Sequence, residues 1–229
     1  MLKQTIEVRS TRPSAGLRPP VPAPARHALA DSFAVMGAPL NVARNAEIYG
    51  EGEPAEYVYK VISGVVRTYK LLSDGRRQIS AFLLPGDVFG LDGAEEHRFT
   101  AEAIADTTLV FVRRSALTAL AARDGEVAND LWRMAAADLR RAHEHMLLLG
   151  RKSAQERIAA FLLEMVERAE ETDTVDLPMS RLDIADYLGL TIETVSRTLT
   201  LLENAATIEL PSTRRIRLAN KAALSRLNA

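Results

Sequence analysis

The segment SRLDIADYLGLTIETVSRTLTLLE, residues 180–203, admits few folds. Ser180 followed by Asp183 sets a hydroxyl cap before an acid at the third helical position, which starts a helix. Ile184, Ala185 and Leu188 give that helix an apolar stripe. Gly189 can turn left-handed to end it, and Thr191 caps a second helix one step later. The second helix has two faces. At about 100° per residue, Ile192, Glu193, Ser196, Arg197 and Thr200 fall within roughly 140° of one another. Val195, Leu199 and Leu202 share a separate arc that packs on the first helix.

The outer face thus presents a branched alkyl group, a carboxylate, hydroxyls and a guanidinium. These match the major-groove edge of DNA, where Arg reaches guanine O6 and N7, Glu accepts from cytosine N4, and Ile or Thr touches the thymine methyl. Ile192, Glu193, Ser196 and Arg197 are therefore the candidate base-reading residues. An ordinary helical hairpin with a solvated outer face is the competing reading, and the next residues weigh against it. TIEL, PST and RRIRLAN follow, two short runs around a Pro-Ser-Thr turn that predict a hairpin. Arg214, Arg215 and Arg217 lie on its return strand, where they bind phosphate without reading sequence. Residues 204–229 carry five basic residues and one acid, Glu209, in a chain of net charge −1. A helix pair followed by a basic hairpin is a winged helix-turn-helix. Ser180, Thr191, Thr194, Arg214 and Arg215 are the candidate phosphate contacts.

Upstream, the period changes. The segment from Asn41 to about Arg114 has short β-rich runs broken by Gly50-Glu51-Gly52, Ser63-Gly64, Asp74-Gly75 and Pro85-Gly86. Strands are predicted at Tyr57–Ile62, Val65–Leu72, Gln78–Leu84, Thr100–Ile104 and Thr108–Val112, a spacing typical of a β-barrel or jelly roll. A short helix is expected around Ala28–Met36. A long helix follows the roll, from roughly Gly125 to Leu149. Its Leu131, Ala135, Leu139, Ala142, Met146 and Leu149 recur at steps of four and three, the pattern of a coiled-coil seam. That seam either packs on its own domain or pairs with its twin. A dimer is favoured, because two reading helices fit a palindrome on successive turns of DNA. Ser153 and Glu156 form a capping box for the next helix, buried through Ile158, Phe161, Leu162 and Met165, and its acidic end, Glu164 to Asp173, reads as a solvated face and loop.

The expected class is α+β, with an N-terminal double-stranded β-roll (27–124), a dimerisation helix (125–150) and a winged helix-turn-helix (151–229). Residues 1–26 hold five of the ten prolines and read as a disordered arm. With no cysteine in 229 residues, disulfides, thiolate metal sites and cysteine-bound clusters are excluded. No run is long and apolar enough for a transmembrane helix, and the first 26 residues lack a signal-type apolar core, so a cytoplasmic protein without a membrane partner is expected. His143 and His145 are two apart on a helix, which points their rings some 200° apart and argues against a metal site. His27 and His97 are isolated. No nucleophile–base pair stands out, so an enzyme is not expected.

A β-roll, a long seam helix and a winged helix-turn-helix in this order resemble the CRP/FNR family of bacterial transcription regulators, over about residues 28–229. The most specific part is Thr-Ile-Glu-Thr-Val-Ser-Arg, residues 191–197, preceded by Asp-Ile-Ala-Asp-Tyr-Leu-Gly-Leu, residues 183–190. The Glu-Thr-Val-Ser-Arg core is similar to the FNR and FixK branch, whose half-sites are of the TTGA type. That resemblance implies that Glu193 and Arg197 read the G·C pair and Ser196 a neighbouring thymine. Ile192 stands where the cAMP-responsive branch has arginine. Cyclic-nucleotide binders of the family carry Phe-Gly-Glu and Arg-Ser-Ala or Arg-Thr-Ala, which bind the ribose and phosphate. Here the two elements read Phe89-Gly90-Leu91-Asp92 and Arg98-Phe99-Thr100-Ala101. The absence of cysteine excludes an FNR-type cluster. The chain therefore resembles FixK-type members, which implies no cofactor, control through synthesis, RNA polymerase as partner, and activation of genes for microaerobic or anaerobic life. The alternative is a small-molecule sensor whose roll binds a nucleotide or haem and gates DNA binding, with Leu83, Phe89, Leu91 and Phe99 as pocket wall instead of roll core.

Overall fold

Short β-branched and aromatic runs between glycine turns organise the first half of the chain into strands. The computed structural model describes residues 28–169 and 172–228; the arm expected at 1–26 lies outside the described residues. Helix α1 (Ala28–Met36) precedes β1 (Ala38–Val42), β2 (Glu47–Tyr49), β3 (Tyr57–Ser63), β4 (Val66–Leu71), β5 (Arg77–Leu83), β6 (Val88–Phe89), β7 (Thr100–Ala103) and β8 (Thr107–Arg113). These strands form two antiparallel sheets, ordered β1-β8-β3-β6 and β2-β7-β4-β5. The five strands expected from the sequence are all present, with ends shifted by no more than one residue. The short strands β1, β2 and β6 were not resolved by pattern, because two to five residues carry too little periodicity.

Three apolar clusters set the layers. Between the sheets lie Tyr49, Tyr59, Val61, Val66, Leu83, Phe89 and Leu109. The outer face of the β1-containing sheet, through Val58, Val88 and Val112, is covered by Leu29 and Phe33 of α1 and by Leu117 and Val127. The outer face of the other sheet, through Val65, Ile79, Phe82 and Ile104, is covered by the C-terminal half of the chain. Each fully buried side chain of this kind contributes about 1.5–3 kcal/mol. The turn at Gly64 requires glycine: its φ is +83°, and a Cβ there would stand 2.4 Å from Thr107 Oγ1 and 2.5 Å from the Asp106 carbonyl oxygen.

Helices α2 (Arg114–Ala121), α3 (Gly125–Arg151) and α4 (Ala154–Arg168) follow, then β9 (Thr174–Asp176), α5 (Arg181–Leu188), α6 (Ile192–Asn204), β10 (Arg215–Arg217) and α7 (Lys221–Asn228). Asp124 caps α3 by accepting from Glu126 N and Val127 N, and Ser153 with Glu156 makes the expected capping box on α4. Asp130, buried on α3, accepts from Leu29 N at 3.1 Å and so ties α1 to the long helix. The wing departs from the expected hairpin. Strand β10 pairs with β9, and residues 207–210 contribute a single bridge, Glu209 to Arg217. The acidic segment read as a loop thus leads into a strand, and closing a three-residue pair across the domain leaves no local signal.

The sequence also set Leu91 and Phe99 in the roll core. Leu91 is exposed, whereas Phe99 is half-buried. A residue at a loop following a two-residue strand has no neighbour strand to cover it.

Candidate nucleic-acid interface

The reading helix is presented by local chemistry the sequence spells out. Ser180 Oγ accepts from Asp183 N at 3.1 Å, and Ser180 N donates in turn to Asp183 Oδ2 at 2.9 Å, closing a capping box at the start of α5. Gly189 ends α5 at φ +61°, in the left-handed region. Thr191 caps α6, its hydroxyl accepting from Thr194 N at 3.2 Å. Val195, Leu199 and Leu202 are buried against α4 and α5, as the two-face reading expects, and Thr198 joins them. Ile192, Glu193, Ser196, Arg197 and Thr200 face outward.

Charge on this face is set before any partner arrives. The Glu193 carboxyl is held below the usual range by its own backbone N–H, then by the Thr191 hydroxyl, with a smaller contribution from Arg197. It is therefore an anion at the start of α6, where the helix dipole also favours one. Arg197 sits one turn on, so acceptor and donor lie side by side on the exposed face. Thr194 is half-buried, whereas Ser180 and Thr191 are exposed.

The wing carries the arginines expected to meet phosphate. Arg214 and Arg215 are exposed. Arg215 has only a loose partner, Asp176, at 3.9 Å between largely exposed groups. Arg217, by contrast, is engaged: its Nε donates to Glu209 Oε2 at 2.8 Å. The structure also brings Arg181, at the start of α5, beside the wing, where Nη2 donates to the Thr213 carbonyl at 3.3 Å. Sequence reasoning passed over Arg181, since nothing local to it indicates a neighbour more than thirty residues on.

One residue ties this unit to the long helix. Arg157 donates to the Leu149 carbonyl at 2.8 Å, to Lys152 at 2.9 Å and to Leu188 at 2.8 Å. The C-termini of α3 and α5 present unpaired carbonyls, and one guanidinium satisfies both.

The seam residues separate into two groups. Leu131 is half-buried against the roll, and Leu149 is half-buried near Gly189. Ala135, Leu139, Ala142 and Met146 are exposed, and Trp132 completes their row at heptad spacing. Trp132, Leu139 and Met146 are 74%, 58% and 62% exposed, an apolar row that no described residue covers. The opposite face packs inward, where His145 stacks on Tyr187 with centroids 4.2 Å apart. Burial holds His145 below the usual histidine range, against a hydrogen bond with the Tyr187 backbone.

Inside the roll, the segment corresponding to a nucleotide's phosphate cassette holds aromatic rings. Tyr49 stacks on His97 at 3.5 Å, and Tyr59 stacks on Phe89 at 5.2 Å. His97, buried, meets Asp92 Oδ2 at 2.7 Å through Nδ1, so it is not isolated. Arg98 is exposed and Leu91 carries no carboxylate. This donor set does not fit a ribose and a cyclic phosphate, which need a carboxylate and a guanidinium turned inward. Among the described residues, no cluster of His, Asp and Glu suits a metal ion, and no helix is long and apolar enough to cross a membrane.

A roll, a connecting helix and an outward-facing reading helix with a basic wing define a two-domain DNA-binding regulator. Residues 39–124 match the cyclic nucleotide-binding domain, and residues 156–227 match the Crp-like helix-turn-helix domain. The nitrogen fixation regulation protein FixK of Azorhizobium caulinodans is 55% identical over 205 residues, covering 87% of this chain and 83% of that protein. The FixK of Rhizobium meliloti is 46% identical over 182 residues, covering 79% and 82%. The structure of FixK2 from Bradyrhizobium japonicum superposes with a TM-score of 0.82 at 54% identity, covering 85% of this chain and 98% of that one. The chain belongs to the CRP/FNR family of transcription regulators, with FixK proteins among its relatives, and it is not an enzyme.

Proposed function

We propose that the chain acts as a homodimeric transcription activator that reads TTGA-type palindromes in double-stranded DNA. The observation that carries this reading is the outer face of α6, where Ile192, Glu193, Ser196 and Arg197 stand exposed on a helix capped and buried on its other side. Glu193 and Arg197 pair with one G·C base pair and Ser196 with a neighbouring thymine. Ser180, Thr191, Thr194, Arg214 and Arg215 hold the backbone. The exposed row Trp132, Ala135, Leu139, Ala142 and Met146 supports a dimer, because a row of this kind on a long helix calls for a second helix. Relatives named as nitrogen fixation regulators and transcriptional activators support activation; RNA polymerase as partner and genes for low-oxygen life follow from the resemblance to FixK-type members. The ring-filled roll supports activity without a cyclic nucleotide.

The contrast between two arginines tests the reading. Arg197→Ala should weaken binding about tenfold to hundredfold per half-site and relax choice at one base pair. Arg215→Ala should weaken all sequences alike and lower the salt slope by about one. Competition binding against single-base variants of the half-site separates the two. Equal loss on specific and random DNA for Arg197→Ala refutes the base-reading role.

A further inference from the structure

A set of charged side chains joins the roll to α5, away from the outer face of α6. Arg67 of β4 donates through Nη1 to Asp183 Oδ1 at 2.6 Å and through Nη2 to Glu102 Oε1 at 2.7 Å. Arg77 of β5 donates through Nη2 to the same Asp183 oxygen at 2.7 Å, and through Nε to Asp186 Oδ2 at 2.8 Å. Gln78 adds bonds to the Asp186 carbonyl at 2.8 Å and the Tyr187 carbonyl at 3.3 Å. The Tyr69 ring flanks both guanidiniums at 5.7 and 5.6 Å. All these charges are largely withdrawn from water, with Asp183 side-chain exposure at 6%.

Asp183 divides its two oxygens between two tasks. Oδ2 closes the cap of α5 with Ser180, while Oδ1 receives both arginines. Arg67 stands opposite Phe82 and Arg77 opposite Leu71, so their backbones lie roughly 13 Å apart along the hairpin. Side chains converging from two such points on residues 183 and 186, one turn apart on the helix, restrain both its height and its rotation. A single ion pair would restrain neither, and a purely apolar contact would permit sliding. The apolar contact beneath, Ile79 and Phe82 against Phe161, Ile184 and Tyr187, excludes water from the charges. The long helix is anchored to the same roll through Asp130, Val127 and Leu131. The roll is thus a common reference for the dimer seam and for the reading helix.

We propose that Arg67 and Arg77 are positioning residues for DNA reading, which clamp Asp183 and Asp186 and so set the half-site spacing that the dimer accepts. This rests on the dimeric reading given above. One base pair added between half-sites moves the second by about 3.4 Å and turns it by about 35°. A reading helix held at fixed height and rotation cannot follow such a step. One released from the clamp can.

The test is binding of the full-length protein to a single half-site and to palindromes whose spacer is optimal, one base pair shorter or one longer. Arg77→Gln and Asp186→Asn open the outer pair from either side and leave the Asp183 cap intact; circular dichroism verifies that each is folded. The wild type should prefer one spacer by about tenfold or more, whereas the variants should fall within about threefold across spacers with half-site affinity unchanged within about twofold. Arg77→Lys, which keeps the positive charge, should retain more of the preference than Arg77→Gln. A folded variant with the wild-type spacer profile overturns the proposal. So does equal loss on half-site and palindrome, which would mark the cluster as stabilising only. Should the wild type itself show no spacer preference, the dimeric reading falls first and the clamp with it.

Discussion

Replacing Leu139 by alanine shortens the middle of the exposed apolar row on α3. Leu139 is 58% exposed, so covering it in a dimer takes just over half of a leucine out of water. Full burial of such a side chain is worth about 1.5–3 kcal/mol, so the covered portion contributes roughly 1–1.7 kcal/mol. A two-fold seam makes the contribution twice, about 2–3.4 kcal/mol per dimer, or some 30–300-fold in the dissociation constant. Alanine preserves helix propensity, and Leu139 belongs to none of the buried clusters, so the fold should stand. Sedimentation over a concentration series measures the dimer, with Arg141→Ala, roughly 160° around the helix from Leu139, as the control. An unchanged dissociation constant for Leu139→Ala would refute the seam, as would a weakening equal to that of Arg141→Ala.

Two further outcomes follow from groups near the junction. His145 is held low by burial, so the folded state binds its proton less readily than the unfolded state. Its stability contribution is present above the usual histidine pKa of about 6.5 and declines as pH falls below it. Melting temperature from about pH 7.5 to pH 5 should therefore fall less steeply in His145→Phe, which retains the stack on Tyr187; parallel curves would remove His145 from the explanation. Gly189→Ala places a Cβ in the left-handed region, 3.4 Å from Arg157 Nη1 and Leu149 Cδ2. It should cost about 1–2 kcal/mol in denaturant unfolding, and a stabilised variant would contradict the cap assignment.

What could be seen in advance was local. Ser180 with Asp183, Gly189 and Thr191 are each within four residues of what they cap, so the helix pair and its two faces were legible directly. The long strands were legible through their β-branched and aromatic runs between glycine turns, which are local signals too. What escaped was joined over distance. Strand β9 has three residues and acquires its partner across the domain. Arg67 lies between Val66 and Thr68 and Arg77 between Arg76 and Gln78, so nothing local marks either as buried, yet that face is covered by α5. The seam was placed through Leu131, because a heptad pattern does not say which of two adjacent residues, Leu131 or Trp132, the roll itself covers.

The most direct test of the central claim is salt-controlled binding of the purified protein, without additive, to a TTGA-N6-TCAA palindrome and a scrambled duplex of equal length. The expected result is tight binding to the palindrome, with a preference of about a thousandfold or more over the scrambled duplex at physiological salt. Weak binding to both, with a similar salt slope, would contradict ligand-independent reading of that site.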